Sequence, residues 1–502
     1  METQPAIAGR APTSTTDARS VRSSAVQREL GQFLTPRHIA DLMASMFLAA
    51  PPEIRLLDAG AGTGNLTEAL VRHLCAIGGT KRIIVTAYEL DVSLIAALRD
   101  TYDRCQQECE RAAIEFTAKV HNEDFVSSAV SILRGDLFSS ERPLFNSAIV
   151  NPPYRKLRSD SRSRLLLRSI GIETSNFYSA FTALIIRLLV GNGELVAITP
   201  RSFCNGPYFR PFRTELLDSM SLRRLHLFES RSAAFGKDNV LQENLILHAV
   251  KEQSTPHEVM ISSSSGQENA PVKERLVGFP DVVAYNDPER IIHIRVKEHQ
   301  NQHPDSGRVQ AKLSDLGLSV STGRVVDFRA KIFLRRQPAV DTAPLIYPSH
   351  FDGATVAWPK EGSRKPNALL VADQTRALLV PSAFYVLVKR FTSKEERRRI
   401  VASVYDPKRI NAKWVAFENH LNYFHVNGGG LSRSLAKGLA AFLNSTLVDS
   451  YFREFSGHTQ VNAADLRRLT YPSKAALEEL GRKIQHELNQ AELDKLVEAN
   501  LY

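Results

Sequence analysis

At 502 residues with 43% hydrophobic side chains, the chain is long enough for about two or three domains with ample core. A formal net charge of +10 and a pI near 9.4 suit a polyanionic partner, although charge alone gives only a lean towards nucleic acid. No apolar run reaches the roughly 18 residues of a membrane span, none of the four cysteines (75, 105, 109 and 204) forms a C-x-x-C pair, and no HExxH, EF-hand or paired Cys/His set suggests a metal.

The first 27 residues are rich in Ser, Thr, Ala and Arg without an apolar h-region, and read as a disordered tail rather than a signal peptide. In the segment from Gly31 to Ala40, Thr35 is expected to N-cap a helix with Pro36 at its first position. The free N–H groups of that helix start suit a carboxylate. Ile54 to Leu57 then reads as a strand, followed by Asp58-Ala59-Gly60-Ala61-Gly62-Thr63-Gly64-Asn65 and an amphipathic stretch from Leu66 through Leu74. Strand, glycine loop and helix make the first βα turn of a doubly wound sheet, where the backbone must approach a ligand closely. A dinucleotide fingerprint requires a third glycine where Asn65 stands. The glycines fall instead at 60, 62 and 64, the G-x-G-x-G spacing of S-adenosylmethionine sites, and no Lys-Ser/Thr follows to make a P-loop.

A second strand, Ile83 to Tyr88, ends in Glu89-Leu90-Asp91. Glu89 is placed to accept from both ribose hydroxyls of a cofactor, or else is a surface carboxylate; Asp91 is expected to cap the next helix. Asn122 to Phe125 closes a third segment, where Asp124 and Phe125 suit an adenine ring by hydrogen bond and packing. A fourth strand ending Ser147-Ala148-Ile149-Val150 delivers Asn151-Pro152-Pro153-Tyr154 to the carboxyl edge of the sheet. Two consecutive prolines fix φ near about −65° and donate no N–H, so the neighbouring carbonyls point in a set direction. The Asn151 side-chain oxygen and the Pro152 carbonyl make two acceptors for one exocyclic amino group, and Tyr154 offers a face for a planar base. Taken alone, the tetrapeptide is also readable as a proline turn with a chance Tyr.

In this order the motifs resemble the gamma-class adenine-N6 DNA methyltransferases, most closely the PstI/BsuBI-type modification enzymes and more distantly the TaqI type. The resemblance runs from about residue 28 to 475 and takes in Gly31 to Ala40, the glycine loop, Glu89, Asp124-Phe125 and Asn151 to Tyr154. Gly191 to Pro200 resembles the family's next strand, and Phe209 falls where the family sets a second ring against a flipped adenine. The loop reads Ala-Gly-Ala-Gly where Pro-Ala-Cys-Gly is commoner, and no Pro-Cys supplies the nucleophile of cytosine-C5 methyltransferases. The resemblance implies an α/β fold: a Rossmann-like S-adenosylmethionine-dependent methyltransferase sheet followed by an α+β target-recognition domain. It implies methyl transfer to N6 of a flipped adenine in duplex DNA, with Asn151, Pro152, Tyr154 and Phe209 catalytic. Thr35, Asp58, Gly60, Gly62, Gly64, Glu89, Asp124 and Phe125 would hold S-adenosylmethionine, without a metal. Double-stranded DNA and a separately acting restriction endonuclease are the implied partners, in a bacterial cytoplasm at the nucleoid.

The expected organisation is a tail over 1–27, a catalytic domain over 28–290, a target-recognition domain over 291–472 and one C-terminal amphipathic helix over 473–502. The catalytic sheet should end near residue 250, with Leu225 to Phe228 and Leu245 to Leu247 as its last strands and Ser262 to Pro271 as a linking loop. Three stretches bear on DNA. Arg155, Lys156, Arg158, Arg162, Arg164 and Arg168 follow the Asn-Pro-Pro-Tyr turn with only Asp160 against them, which favours phosphate contact over a solvated face. Lys389 to Arg399 is either a phosphate-binding or a merely solvated hairpin. The segments around Leu443 to Ser445, Tyr451 to Arg453 and Gly457 to Asn462 hold candidate base readers, His458 and Gln460 above all, or structural turns.

Overall fold

A computed structural model of the chain describes residues 34–48, 50–135, 145–229, 243–252, 254–294, 309–392, 396–455 and 460–501. The chain divides into two compact units, residues 1–296 and 297–502.

The first unit is built on a nine-stranded sheet. Its first five strands are parallel: β1 (Glu53–Ala59), β2 (Arg82–Tyr88), β3 (Glu115–His121), β4 (Phe145–Val150) and β5 (Leu189–Pro200). The remaining strands are β6 (Ser221–Phe228), β7 (Asn244–Val250), β8 (Glu258–Ser264) and β9 (Lys273–Gly278), and the order across the sheet is β3-β2-β1-β4-β5-β7-β6-β8-β9. Strand β7 runs antiparallel to both β5 and β6. Side chains alternate between two cores. Leu57 and Ala59 of β1 face one with Ala148 and Val150 of β4, whereas Ile54 and Leu56 face the other with Ile149. That alternation is the period-2 reading of strands buried on both faces.

Helices α1 (Arg37–Ala44), α2 (Asn65–Ile77) and α3 (Ile95–Arg111) contribute to the core that contains Ile54. Helices α4 (Phe125–Arg134), α5 (Arg162–Arg168), α6 (Phe177–Leu188) and α7 (Arg210–Ser219) contribute to the opposite core. Because β1 sits between β2 and β4, the connections after β1 and β4 leave towards opposite faces. A cleft opens at such a switch point, outside the carboxyl ends of the strands.

The sheet does not stop near residue 250. Residues Ser262 to Ser264, expected in a linking loop, belong to β8, which pairs in parallel with β6. The serine run hides a strand because its hydroxyls have a partner. His226 Nδ1 lies 3.0 Å from Ser262 Oγ and His226 Nε2 lies 3.0 Å from Ser264 Oγ. Alternate serines thus satisfy one buried imidazole, and that burial pushes the His226 pKa down to about 4.

The second unit holds a six-stranded sheet with Tyr385–Lys389 and Leu421–His425 near its middle, and a five-stranded sheet around Thr342–Ile346 and Trp414–Phe417. Tyr385, Tyr405 and Tyr423 are fully buried with Phe417 in one core. The expected single helix over 473–502 is two helices, Lys474–Lys483 and Gln490–Leu501. The first packs against Arg433–Leu443 at a glycine contact: a Cβ on Gly438 would stand 1.8 Å from Leu477 O. Ile484 then leaves the helix with ψ 98°, and its carbonyl accepts from Lys437 Nζ at 2.9 Å.

Candidate cofactor cleft and methyl-transfer site

The glycine loop is built from backbone that only glycine adopts readily. Gly60, Gly62 and Gly64 have φ of 79°, 58° and 82°. Space is also short at Gly64, where a Cβ would stand 2.9 Å from Leu98 Cδ1 and 3.0 Å from Thr101 Cγ2. Gly60 N and Ala61 N donate to Tyr88 O at 2.8 and 3.0 Å, and Glu89 completes the tie. Its carboxylate, 1% exposed, accepts from Gly62 N at 2.8 Å and from Asp91 N at 2.7 Å. Glu89 also lines the cleft, so one buried carboxylate both ties down the loop and borders the cleft. Asp91 N-caps the next helical turn through Ser93 N.

Asp58, expected to face the cofactor, does not line the cleft. It lies beneath the loop, 1% exposed, where Thr67 Oγ1 donates to its Oδ2 at 2.6 Å and its Oδ1 has no partner. Burial pushes its pKa up to about 7. Strand alternation explains the reversal: Asp58 lies within β1 and faces away from Leu57 and Ala59, and the chain lines the cleft only from Gly60 on.

Thr35 is not the helix cap either. Pro36 occupies the N-cap position of α1, and no side chain caps that helix. The Thr35 hydroxyl instead accepts from Asn151 Nδ2 at 3.0 Å, and Asn65 Nδ2 donates to Thr35 O at 3.1 Å. Asn65 thereby links the glycine loop to the Asn-Pro-Pro-Tyr turn through Thr35. In the sequence Asn65 stands out only as the place of a missing third glycine. Asp124, expected at the adenine, lines the cleft and also caps α4 with one oxygen: its Oδ2 accepts from Ser127 N at 3.2 Å and from Ser127 Oγ at 2.7 Å. Phe125 joins an aromatic wall, with ring centroids 5.3 Å from Tyr88 and 4.9 Å from Phe181.

Asn151 and Pro153 line the cleft, whereas Pro152 is buried and Tyr154 lies outside the lining. The Tyr154 hydroxyl donates to Ile198 O of β5 at 3.2 Å, which fixes the ring. Phe209 is 7% exposed and stacked on Tyr178 at 5.5 Å, away from the cleft-lining set. Thr35, Gly60, Gly62, Glu89 and Asn151 are brought together at one place; Asp58, Gly64 and Phe209 stand behind it.

The basic segment is less uniformly cationic than its composition suggests. Arg164 and Arg168 both pair with Glu173, at 2.5 and 2.7 Å, and hold its carboxyl down at about 2. Glu173 was the missed counter-charge, because it returns from beyond the helix. Arg162 and Lys156 are exposed, and Arg155 lines the cleft. In the second unit, His458 lies outside the described residues, and Gln460 forms an antiparallel bridge with Phe391. Asn444 is committed to structure. Its Oδ1 accepts from Ala402 N at 3.0 Å and its Nδ2 donates to Ala402 O at 2.8 Å. The backbone N of Asn462 donates to Asp465 Oδ2 at 2.8 Å, at the start of the helix Ala463–Arg468.

The cleft joins a glycine loop, a buried carboxylate at the end of β2 and a polar amide at the end of β4, and the chain as a whole has known relatives. The Eco57I restriction-modification methylase family matches residues 85–235. The solved DrdV–DNA complex shares the fold with a TM-score of 0.50 at 11% identity, covering 93% of this chain and 58% of that one. The Type II methyltransferase M.BsuBI of Bacillus subtilis is 42% identical over 94% of this chain and 93% of its own. M.PstI of Providencia stuartii, also a Type II methyltransferase, is 43% identical over 96% of this chain and 95% of its own. With identity at that level along almost the whole of both chains, this chain belongs to the PstI/BsuBI-type Type II methyltransferases.

Proposed function

We propose that the chain is a site-specific DNA methyltransferase that methylates N6 of an adenine flipped out of duplex DNA, using S-adenosylmethionine. The observation that carries this reading is the Asn151 amide, held in the cleft with its Nδ2 on Thr35 Oγ1 at 3.0 Å. With Nδ2 turned to Thr35, Oδ1 is the end that accepts from an exocyclic amine.

The residues present fit the cofactor. The positive-φ glycines leave a cradle that a side chain would fill: a Cβ at Gly62 would stand 3.2 Å from Leu34 Cδ2. Glu89 offers acceptors to ribose hydroxyls, and Phe125 and Phe181 offer rings to a purine. S-adenosylmethionine supplies an electrophilic methyl group when bound. Asn151 Oδ1 and the Pro152 carbonyl hold the two hydrogens of the adenine amine, which frees its lone pair from conjugation with the ring. Positioning of this kind is the main source of acceleration, and it needs no covalent enzyme intermediate.

Extruding the base costs a few kcal/mol. Tyr154, its ring fixed through Ile198 O, stacks on the base and offsets part of that cost. Phe209 joins it by exchanging Tyr178 for the base. Lys156 and Arg162 meet phosphates, and the second unit reads the site, with Gln460 and His458 as its proposed readers. The enzyme acts on cytoplasmic, nucleoid DNA as the modification partner of a separately acting restriction endonuclease.

Incubation of the full chain with duplex DNA and methyl-labelled S-adenosylmethionine, followed by digestion to nucleosides, tests the reading. Label in N6-methyldeoxyadenosine is expected. Label confined to cytosine, or appearing only with RNA, overturns it.

A further inference from the structure

The guanidinium of Arg155 stands apart from the basic residues that follow it. Its carbon lies 4.2 Å from the centre of the Phe177 ring, its Nε is shielded from solvent with no hydrogen-bond partner, and the residue lines the cofactor cleft. The backbone fixes it there. Phe177 N donates to Arg155 O at 3.0 Å, Leu157 N donates to Ser175 O at 2.8 Å, and Lys156 and Asn176 form an antiparallel bridge between them. A side chain that meets phosphate is usually an exposed, adaptable cation. Arg155 is a planar cation laid on a ring, with a donor turned away from water.

The ring beneath it continues into an aromatic wall. Phe177 lies 6.4 Å from Phe181, and Phe181 lies 4.9 Å from Phe125. All three rings line the cleft. A wall of rings suits the faces of a purine, and a buried guanidinium N–H suits an acceptor on its edge.

We propose that Arg155 is a cofactor-binding residue: its guanidinium, fixed on Phe177, walls the adenosine end of the cleft and donates a hydrogen bond to the adenosine moiety. This assignment rests on the S-adenosylmethionine reading of the cleft. It moves Arg155 out of the DNA-contact track and leaves Lys156 and Arg162 in it.

Calorimetric titration of the full chain without DNA separates the possibilities, using S-adenosylmethionine and 5′-methylthioadenosine, which lacks the amino-acid arm. Arg155→Ala should weaken both ligands by roughly tenfold, the size of one hydrogen bond to a charged donor. Arg155→Lys keeps the charge without the planar fork and should fail to restore either affinity. Should Arg155→Ala melt before the wild type, Arg155→Met keeps an aliphatic stem on Phe177 and carries the same expectation. Unchanged affinity for both ligands, with only the salt dependence of duplex binding altered, overturns the proposal and returns Arg155 to phosphate contact. Loss confined to S-adenosylmethionine also overturns it, by placing the guanidinium at the amino-acid arm. A wild-type chain that binds neither ligand sinks the cofactor reading itself, a failure distinct from these two.

Discussion

Buried polar side chains serve opposite ends in the two units. At the cleft of the first unit, Glu89 and Asn151 each bond a neighbouring segment, at Gly62 N and Thr35 Oγ1, and also line the cleft. In the second unit, Asn444 spends both ends of its amide on Ala402, and Asp449 accepts from Arg399 N at 2.5 Å and from Arg453 Nε at 2.6 Å. A buried polar group must be paired, so the difference lies in what the pairing holds: the wall of the cleft in one unit, packed backbone in the other. Residue type alone does not separate a reader of DNA from a brace.

The sharpest way to break that contrast is at Asn151. Asn151→Ala should cut methyl transfer by about a thousandfold while S-adenosylmethionine affinity stays within roughly threefold, since the acceptor is needed chiefly for the reacting amine. Single-turnover rates and calorimetry together check this, and parallel losses in both would make Asn151 a cofactor ligand. Glu89→Ala removes the acceptor of Gly62 N and Asp91 N along with the proposed ribose acceptor. Affinity for S-adenosylmethionine should fall by roughly a hundredfold in calorimetry.

Asn444→Ala should behave as a brace. Loss of both bonds to Ala402 should cost about 2–4 kcal/mol in denaturant unfolding, with discrimination between cognate and mismatched duplexes unchanged. Gln460→Ala is expected to do the reverse, narrowing discrimination by about 1–3 kcal/mol at constant stability. If the two variants exchange behaviours, the assignment of reader and brace is wrong.

A smaller effect tests the polar group beneath the loop. The Asp58 pKa is raised by burial to about 7 from 3.8, so the folded state binds more protons than the unfolded state between those values. Stability should therefore fall as pH rises from about 4 to 7, by up to about 1.4 kcal/mol per pH unit, and level off above. Asp58→Asn should flatten that slope in urea titrations at pH 5 and pH 8. The smallest change concerns the basic segment: Arg162→Ala should reduce the salt slope of duplex binding by roughly one phosphate equivalent. Arg164→Ala should reduce it less, because Glu173 already holds that guanidinium.

Much of the first unit is legible without coordinates, because its signals are local. Strand alternation, glycines at 60, 62 and 64, and two prolines after Asn151 each act through the backbone of their own segment. The parallel sheet and the placement of Glu89 and Asn151 at strand ends follow from that local information. Asp91 as a cap follows in the same way.

What the sequence determined by itself was therefore the kind of sheet, the glycine loop and the turn that carries Asn151. Tertiary structure decided how their side chains are spent. Thr35 was read as a cap from its neighbour Pro36, yet it bonds a residue 116 positions away. Ser262 and Ser264 read as a linker until His226 of the adjacent strand supplied their partner. Glu173 and Asp58 changed meaning for the same reason: the charge that opposes one, and the burial that neutralises the other, come from packing. A strand or a tight turn is written in consecutive residues, whereas a hydrogen bond or an ion pair between distant segments exists only once the chain has closed on itself.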